Sequence, residues 1–423
     1  MQITKAMNMK LSQTMNKYPR ESWYFVYASF INSLGNSFMW PLTTLYVHHE
    51  FGRSFGDAGL VLLCQSVASI IGQSVGGSLY YRIGVKRLIV GSLILGAIAQ
   101  ISLIGISEWF LYIFTMMLIG FFNALSMPAI QAYTGFRWKE QRRELFNLIY
   151  VGNNIGMAIG TSIAGLLASL FDFSINFLIN GLTTFVFACF FYFHVKKDPQ
   201  EEQGPLPQVS KEKPVYQQST WKLISNVKLY LFMAAGSMLV WFSTSVWNSG
   251  IAPYLDEHGL GMSAYSFLWT VNGIIIFIGQ PVLGILKRTV TKSLPADLVA
   301  SSICYALGFA LILLSQNYTI MIAGMVITTF GEMLLAPTVP AFITEKSGLN
   351  SAFYLGIVGS IGSFGRLIGP YMLGTLYDNY GVITVLSIAT LAPVIATMLN
   401  AVHASFHRES YAAKGNPSAS RKI

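Results

Sequence analysis

Glu332 lies in the run Thr-Thr-Phe-Gly-Glu-Met-Leu-Leu-Ala-Pro-Thr-Val-Pro, residues 328–340, among apolar and small residues on both sides. An ionised acid at the centre of an apolar helix costs about 3 kcal/mol, so such a residue is protonated, paired with a cation, or open to water. Arg366 is the one base in comparable surroundings. Two chemistries follow. Glu332 and Arg366 form a pair that holds two helices together, or Glu332 exchanges a proton for a second ligand. Desolvation favours the protonated acid, while Arg366 or a cationic solute favours the ionised one. Counting about 11 and 15 residues from the nearer segment ends, at 1.5 Å each, puts the two at depths of roughly 17 and 23 Å. Their long side chains could therefore meet.

Amides and an indole extend the set. Asn32 and Asn36 are four apart and share a helix face. Asn123, Met127 and Gln131 make one stripe, and Trp241 and Asn248, seven apart, make another. Each could touch a ligand, or simply bond a neighbouring helix for less than about 1 kcal/mol.

These residues sit on segments that a membrane must hold. Of 423 residues, 53% are hydrophobic and 11% charged, against about a quarter charged in soluble domains; the mean hydropathy is +0.53. Twelve apolar spans are expected, at 22–47, 57–81, 88–107, 109–134, 145–170, 173–195, 229–252, 263–286, 293–315, 318–343, 351–377 and 380–403. Each is long enough to cross a hydrocarbon core of roughly 30 Å as a helix, and too long and continuous for barrel strands. The polar, basic start of the chain does not have the form of a cleavable signal peptide.

The net charge of +9 is a matter of topology, with no nucleic-acid partner implied. Of 27 basic residues, 25 fall in the termini and alternate inter-span segments, leaving Arg53 and Arg366. By the positive-inside rule both termini are cytoplasmic and the chain is a multi-pass plasma- or inner-membrane protein. Cys64, Cys189 and Cys304 lie within spans without metal-ligand spacing, and no metal or cofactor is expected.

Residues 196–228, which include KKDPQEEQGPLPQVSKEKP, read as a cytoplasmic linker. They separate residues 1–195 from 229–404, six spans each, with a cytoplasmic tail at 405–423. The halves echo one another. Gly72-Gln73-Ser-Val75-Gly-Gly77-Ser-Leu79 returns 207 residues later as Gly279-Gln280-Pro-Val282-Leu-Gly284-Ile-Leu286. Gly156, Gly160 and Gly165 match Gly365, Gly369 and Gly374 at an offset of 209, which also sets Pro128 on Pro337 and Asn123 on Glu332. Repeats of this kind around a shared site are a transporter architecture.

The loop Gly77-Ser-Leu-Tyr-Tyr81-Arg82-Ile-Gly84-Val85-Lys86-Arg87 resembles the signature between spans 2 and 3 of the major facilitator superfamily, and the resemblance extends over nearly the whole chain. It implies a cytoplasmic latch built from Gly77, Arg82, Gly84, Lys86 and Arg87, although Tyr81 stands where the family carries an acid. Basic anchoring at the inner face accounts for Lys86 and Arg87 equally well. Gly156-Met-Ala-Ile-Gly160-Thr161-Ser-Ile-Ala-Gly165 resembles the glycine-rich motif of drug:proton antiporters, with Thr161 in place of its proline; close helix packing is the alternative reading. Met116 stands roughly where many such exporters carry an arginine. The resemblance implies an all-α membrane protein, twelve transmembrane helices in two pseudo-symmetric six-helix bundles, with spans 1, 4, 7 and 10 around a central cavity.

Enzyme chemistry finds no support. The six histidines lie at span ends or in loops, no HExxH or paired-acid motif occurs in a span, and no phosphate-binding glycine-lysine loop is present. The expectation is a monomeric, proton-coupled secondary transporter that exports small amphipathic compounds across a lipid bilayer. The alternative is a proton-linked transporter of a polar nutrient such as a sugar.

Overall fold

The computed structural model describes residues 19–39, 42–53, 55–170, 174–195 and 220–415. These are helical apart from short links, and no strand occurs among the described residues. Eight helices are long and apolar enough to cross a membrane, and a bent pair makes a ninth. One of these, 348–406, is two spans joined at Gly381, whose φ of 74° only glycine adopts readily. Arg20–Asn36 with Leu42–Phe51, and Arg142–Leu170, supply the others, so every expected span coincides with a helix.

Several boundaries differ from the apolar pattern. Span 1 is not continuous: the helix stops at Asn36, and a turn occupies 37–39. Span 7 begins at Thr220, inside the expected linker, whose residues 196–219 lie outside the described residues. After Thr244 it breaks into a π turn, Trp247–Ile251, and a short helix, Ala252–Glu257. Span 8 is two helices, Gly261–Ile278 and Gln280–Thr289, bent by 60° at Gly279. The last helix runs on to Gly415, into the expected tail. Pro337 and Pro340, by contrast, sit within an unbroken helix, Tyr318–Lys346.

Glycines decide which helices lie closest. A Cβ at Gly156 would fall 2.6 Å from the carbonyl oxygen of Phe30, and Gly160 is pressed against Leu34 and Ser37, so span 5 packs backbone-to-backbone on span 1. In the other half Gly365 meets Met238 and Phe242, and Gly369 meets Phe242 and Ser245, which sets span 11 on span 7 in the same way. Gly374 makes only ordinary contact with Ser249, and the surroundings of Gly165 lie outside the described residues. In lipid, where apolar side chains gain nothing by leaving solvent, this close approach is what small residues provide.

The halves meet along two seams toward the basic loops. In the first, Ser74 and Ser360 hydroxyls lie 2.8 Å apart, Gln73 donates to Ser363 at 3.1 Å, and the Ser360 hydroxyl donates to the Ile70 carbonyl at 2.9 Å. Gly77 and Gly356 bring these backbones together: a Cβ at Gly77 would lie 2.5 Å from the Ala352 oxygen, and one at Gly356 2.5 Å from that of Gln73. In the second, Arg143 at the start of span 5 pairs with Asp297 of span 9 at 2.5 Å and donates to the Thr291 carbonyl at 3.1 Å. One turn deeper, Asn147 donates to Gln280 at 2.9 Å.

Candidate functional site

Between the halves lies a cavity of ≈630 Å³. Its floor, toward the basic loops, forms where span 4 meets span 10, with Gly135 packed onto Thr344. Asn36, Gln65 and Gly120 are the lining residues farthest from that floor.

Span 1 contributes Asn32 and Asn36, and span 4 contributes Asn123, Met127 and Gln131, each on the face its spacing defines. Trp241 of span 7 and Arg366 of span 11 also line the cavity. Asn248 does not: it is exposed and accepts a hydrogen bond from the Tyr265 hydroxyl. The break at Ser245 and the π turn after it rotate Asn248 away from Trp241, so a seven-residue spacing no longer defines one face.

The Arg366 guanidinium lies over the Trp241 ring, 3.6 Å from its centroid. Gly362, one turn earlier on span 11, lies against the indole, where a Cβ would make ordinary contact at 3.5 Å from Trp241 Cδ1. Stacking occupies the flat face of the guanidinium, and the side chain is exposed at the cavity wall with no hydrogen bond to its in-plane N–H groups among the described residues. Among the described residues lining the cavity, Arg366 is the only charged one.

Glu332 is placed behind the wall and not among the lining residues. Its carboxylate accepts a hydrogen bond from Asn272 at 3.2 Å, and the same amide donates to Thr329 at 2.9 Å. Tyr150 and Tyr305 lie within electrostatic reach of it. The Tyr150 hydroxyl is buried and lies near the Glu332 carboxylate without forming a well-made hydrogen bond to it. Its ring comes from span 5 of the first half and packs against a cluster formed by Ile276 and Leu283 of span 8 and Met333 and Leu334 of span 10. Arg366 is close enough for its charge to act on Glu332, but among the described residues no ion pair joins them. The two charges share a field and not a bond.

Of the loop that resembles the family signature, Gly77 makes the backbone contact just described and Tyr81 accepts a hydrogen bond from the Ala352 amide at 3.2 Å. The residue standing in for an acid thus spans the two halves. Gly84, at φ 83°, turns span 2 into span 3 in one residue. Lys86 lies over the Tyr192 ring at 4.3 Å, within the first half, and Arg82 and Arg87 are exposed. Met116 is fully buried.

Sequence reasoning passed over Asp297, which a place four residues into a span made look peripheral. It is fully buried, with Thr338 as its second donor at 3.3 Å. Tyr150 was also missed, although Arg143, Asn147, Tyr150 and Asn154 recur at intervals of four, three and four. That is a polar stripe aimed at the opposite half.

The family model described as Major Facilitator Superfamily matches residues 25–370. The MFS-type transporter YttB of Bacillus subtilis (strain 168), described as uncharacterized, is 35% identical over 90% of this chain and 95% of its own length. Multidrug resistance protein 1 of the same organism is 23% identical over 82% of this chain and 87% of its own. Among solved structures, the major facilitator transporter FucP in the outward conformation superposes with a TM-score of 0.68 at 14% identity, covering 91% of this chain and 99% of that one. The chain belongs to the major facilitator superfamily: it is a multi-pass membrane transporter and not an enzyme.

Proposed function

We propose that this transporter is proton-coupled and works by alternating access, with Glu332 as the proton-carrying group. The observation that carries the reading is the position of that acid. It hangs on Asn272 and lies beside Tyr150 of the opposite half and Arg366 of the cavity wall. A change in its charge is therefore felt both by the solute site and by the seam that must open. With the basic loops taken as cytoplasmic, the two seams close the inner side and the cavity belongs to an outward-facing state. The working unit is a monomer, since the cavity is enclosed by one chain's two halves.

For the solute, two readings compete. Export of small amphipathic compounds is supported by Trp241, Met127 and Phe25 in the wall and by similarity to a protein named for multidrug resistance. A polar solute is supported by Asn32, Asn36, Asn123, Gln131 and Asn153, which line the same cavity as Arg366, a density of donors and acceptors that an apolar drug would leave unsatisfied. The geometry favours the polar solute.

The test is Glu332→Gln in proteoliposomes. The variant is expected to fold and to exchange labelled for unlabelled solute, while losing accumulation driven by a pH gradient. Accumulation at the wild-type level in the variant would remove Glu332 from the coupling.

A further inference from the structure

The charge of the cavity wall carries the substrate class further, resting on the reading of a polar solute above. An arginine that lines a cavity and stacks on an indole is held in place by its flat face. Its five N–H donors lie in the plane, where a bidentate acceptor fits. Among the described lining residues no carboxylate faces it, and Glu332, the nearest acid, sits behind the wall on Asn272 without pairing with Arg366. The cavity thus presents one fixed cation, oriented and uncapped, among neutral amides and hydroxyls. A cationic solute would meet like charge there. A doubly charged phosphate would leave one charge uncompensated in a low dielectric.

We propose that Arg366, positioned by Trp241, anchors a single carboxylate of the transported solute, so that this transporter moves small organic monoanions. The amides that line the cavity with Arg366, notably Asn32, Asn123 and Gln131, receive the rest of the molecule. The groups that face Glu332 are Asn272 of span 8, Tyr150 of span 5, Tyr305 of span 9, Arg366 of span 11 and Thr329 of its own helix. A carboxylate seated on Arg366 adds negative charge to that set and offsets its one cation, which favours a proton on Glu332.

The experiment compares compounds that share a skeleton and differ in charge: phenylacetate, phenylacetamide, phenethylamine and phenyl phosphate, with gluconate against sorbitol as a hydroxylated pair. Binding to the purified full chain is measured by calorimetry, and thermal unfolding confirms that each variant is folded. In at least one set the monocarboxylate is expected to bind roughly ten- to a hundredfold more tightly than its neutral partner, the worth of hydrogen bonds to a charged group. Arg366→Gln is expected to abolish that preference. Arg366→Lys, which keeps the charge but not the fork, retains part of it, and Trp241→Phe retains most.

Equal affinities, tighter binding of the amine, amide or phosphate, absence of binding by any carboxylate, or an undiminished preference in Arg366→Gln would each overturn the assignment. Proteoliposomes that carry the amine or amide but not the acid refute the anion and leave proton-coupled transport standing. If the acid binds but its movement ignores a pH gradient, coupling fails while the anchor survives.

Discussion

Breaking the ion pair at the mouth of the second seam should open the closed end. Asp297 is fully buried, and one of its oxygens takes both Arg143, at 2.5 Å, and Thr338, at 3.3 Å; its other oxygen has no partner. Arg143→Ala leaves the buried carboxylate with a single hydroxyl at hydrogen-bonding distance and Lys287 as the remaining cation near it. Such losses run to about 3–5 kcal/mol. The Arg143 side chain is 29% exposed, so water refills part of the gap and the low end of that range applies. About 3 kcal/mol is a shift of roughly 150-fold in the equilibrium between closed and open seams. The penalty falls on the closed state alone, because Asp297 regains water when the halves part. The measurement is a spin-label distance between Arg87 and Arg288, exposed positions on opposite halves, in a background without Cys64, Cys189 and Cys304. Arg143→Ala should move the distribution to longer separations. Adding Asp297→Asn removes the orphan charge and should restore most of the short-distance population. An unchanged distribution in the single variant, or equal opening in both, would refute the reasoning.

The other seam responds to volume and not to charge. Gly77→Val places carbon about where the Ala352 oxygen now lies, so the basic end should stay open to a membrane-impermeant thiol reagent probing a cysteine at position 78, with overpacking of about 1–3 kcal/mol as the cause; protection equal to that of the parent would count against it. Gly160→Leu should separate span 5 from span 1 at Leu34 and Ser37 and lower the unfolding temperature in detergent, whereas the same change at Gly374, where only a 4.0 Å contact to Ser249 exists, should be tolerated. Tyr150→Phe removes a hydroxyl without a well-made hydrogen bond, so stability should hold while the pH at which solute affinity is half-maximal shifts; an unaltered pH profile would separate Tyr150 from Glu332.

Much of this was legible because a membrane constrains sequence so strongly. Every span could be found from apolar length alone, and the glycine spacing at 156, 160, 365 and 369 marks helix pairs that do approach closely. Asn32, Asn36, Asn123 and Gln131 reach the cavity because their helices are regular, so that four-residue steps keep one face. Where regularity fails, so does the inference. A π turn in span 7 carried Asn248 off the face of Trp241, and reading span 1 by apolar length alone passed over the break after Asn36, although Gly35, Asn36, Ser37 and Pro41 are breaker residues. Asp297 was hidden by the assumption that an acid near a span end reaches water. Here the partner half covers it, and no property of a single span reveals that.

The two seams divide the work that alternating access requires. Span 2 against span 11 is built of glycine, serine and a glutamine, groups whose hydrogen bonds do not depend on protonation. Span 5 against spans 8, 9 and 10 carries the charges: Arg143 on Asp297 at the mouth, Asn147 on Gln280 one turn in, and Tyr150 beside Glu332 at the inner limit. Gln73 and Ser363 of the first seam line the cavity and can meet the solute directly, whereas a signal carried by charge enters the second seam, at Glu332, which shares a field with Arg366. The sign of the coupling then follows from the solute. A cation at the cavity wall would favour ionised Glu332 and displace its proton, which is the linkage an antiporter needs. An anion on Arg366 favours the protonated acid, and by reciprocity the proton strengthens the anion's hold. Proton and solute would then cross together.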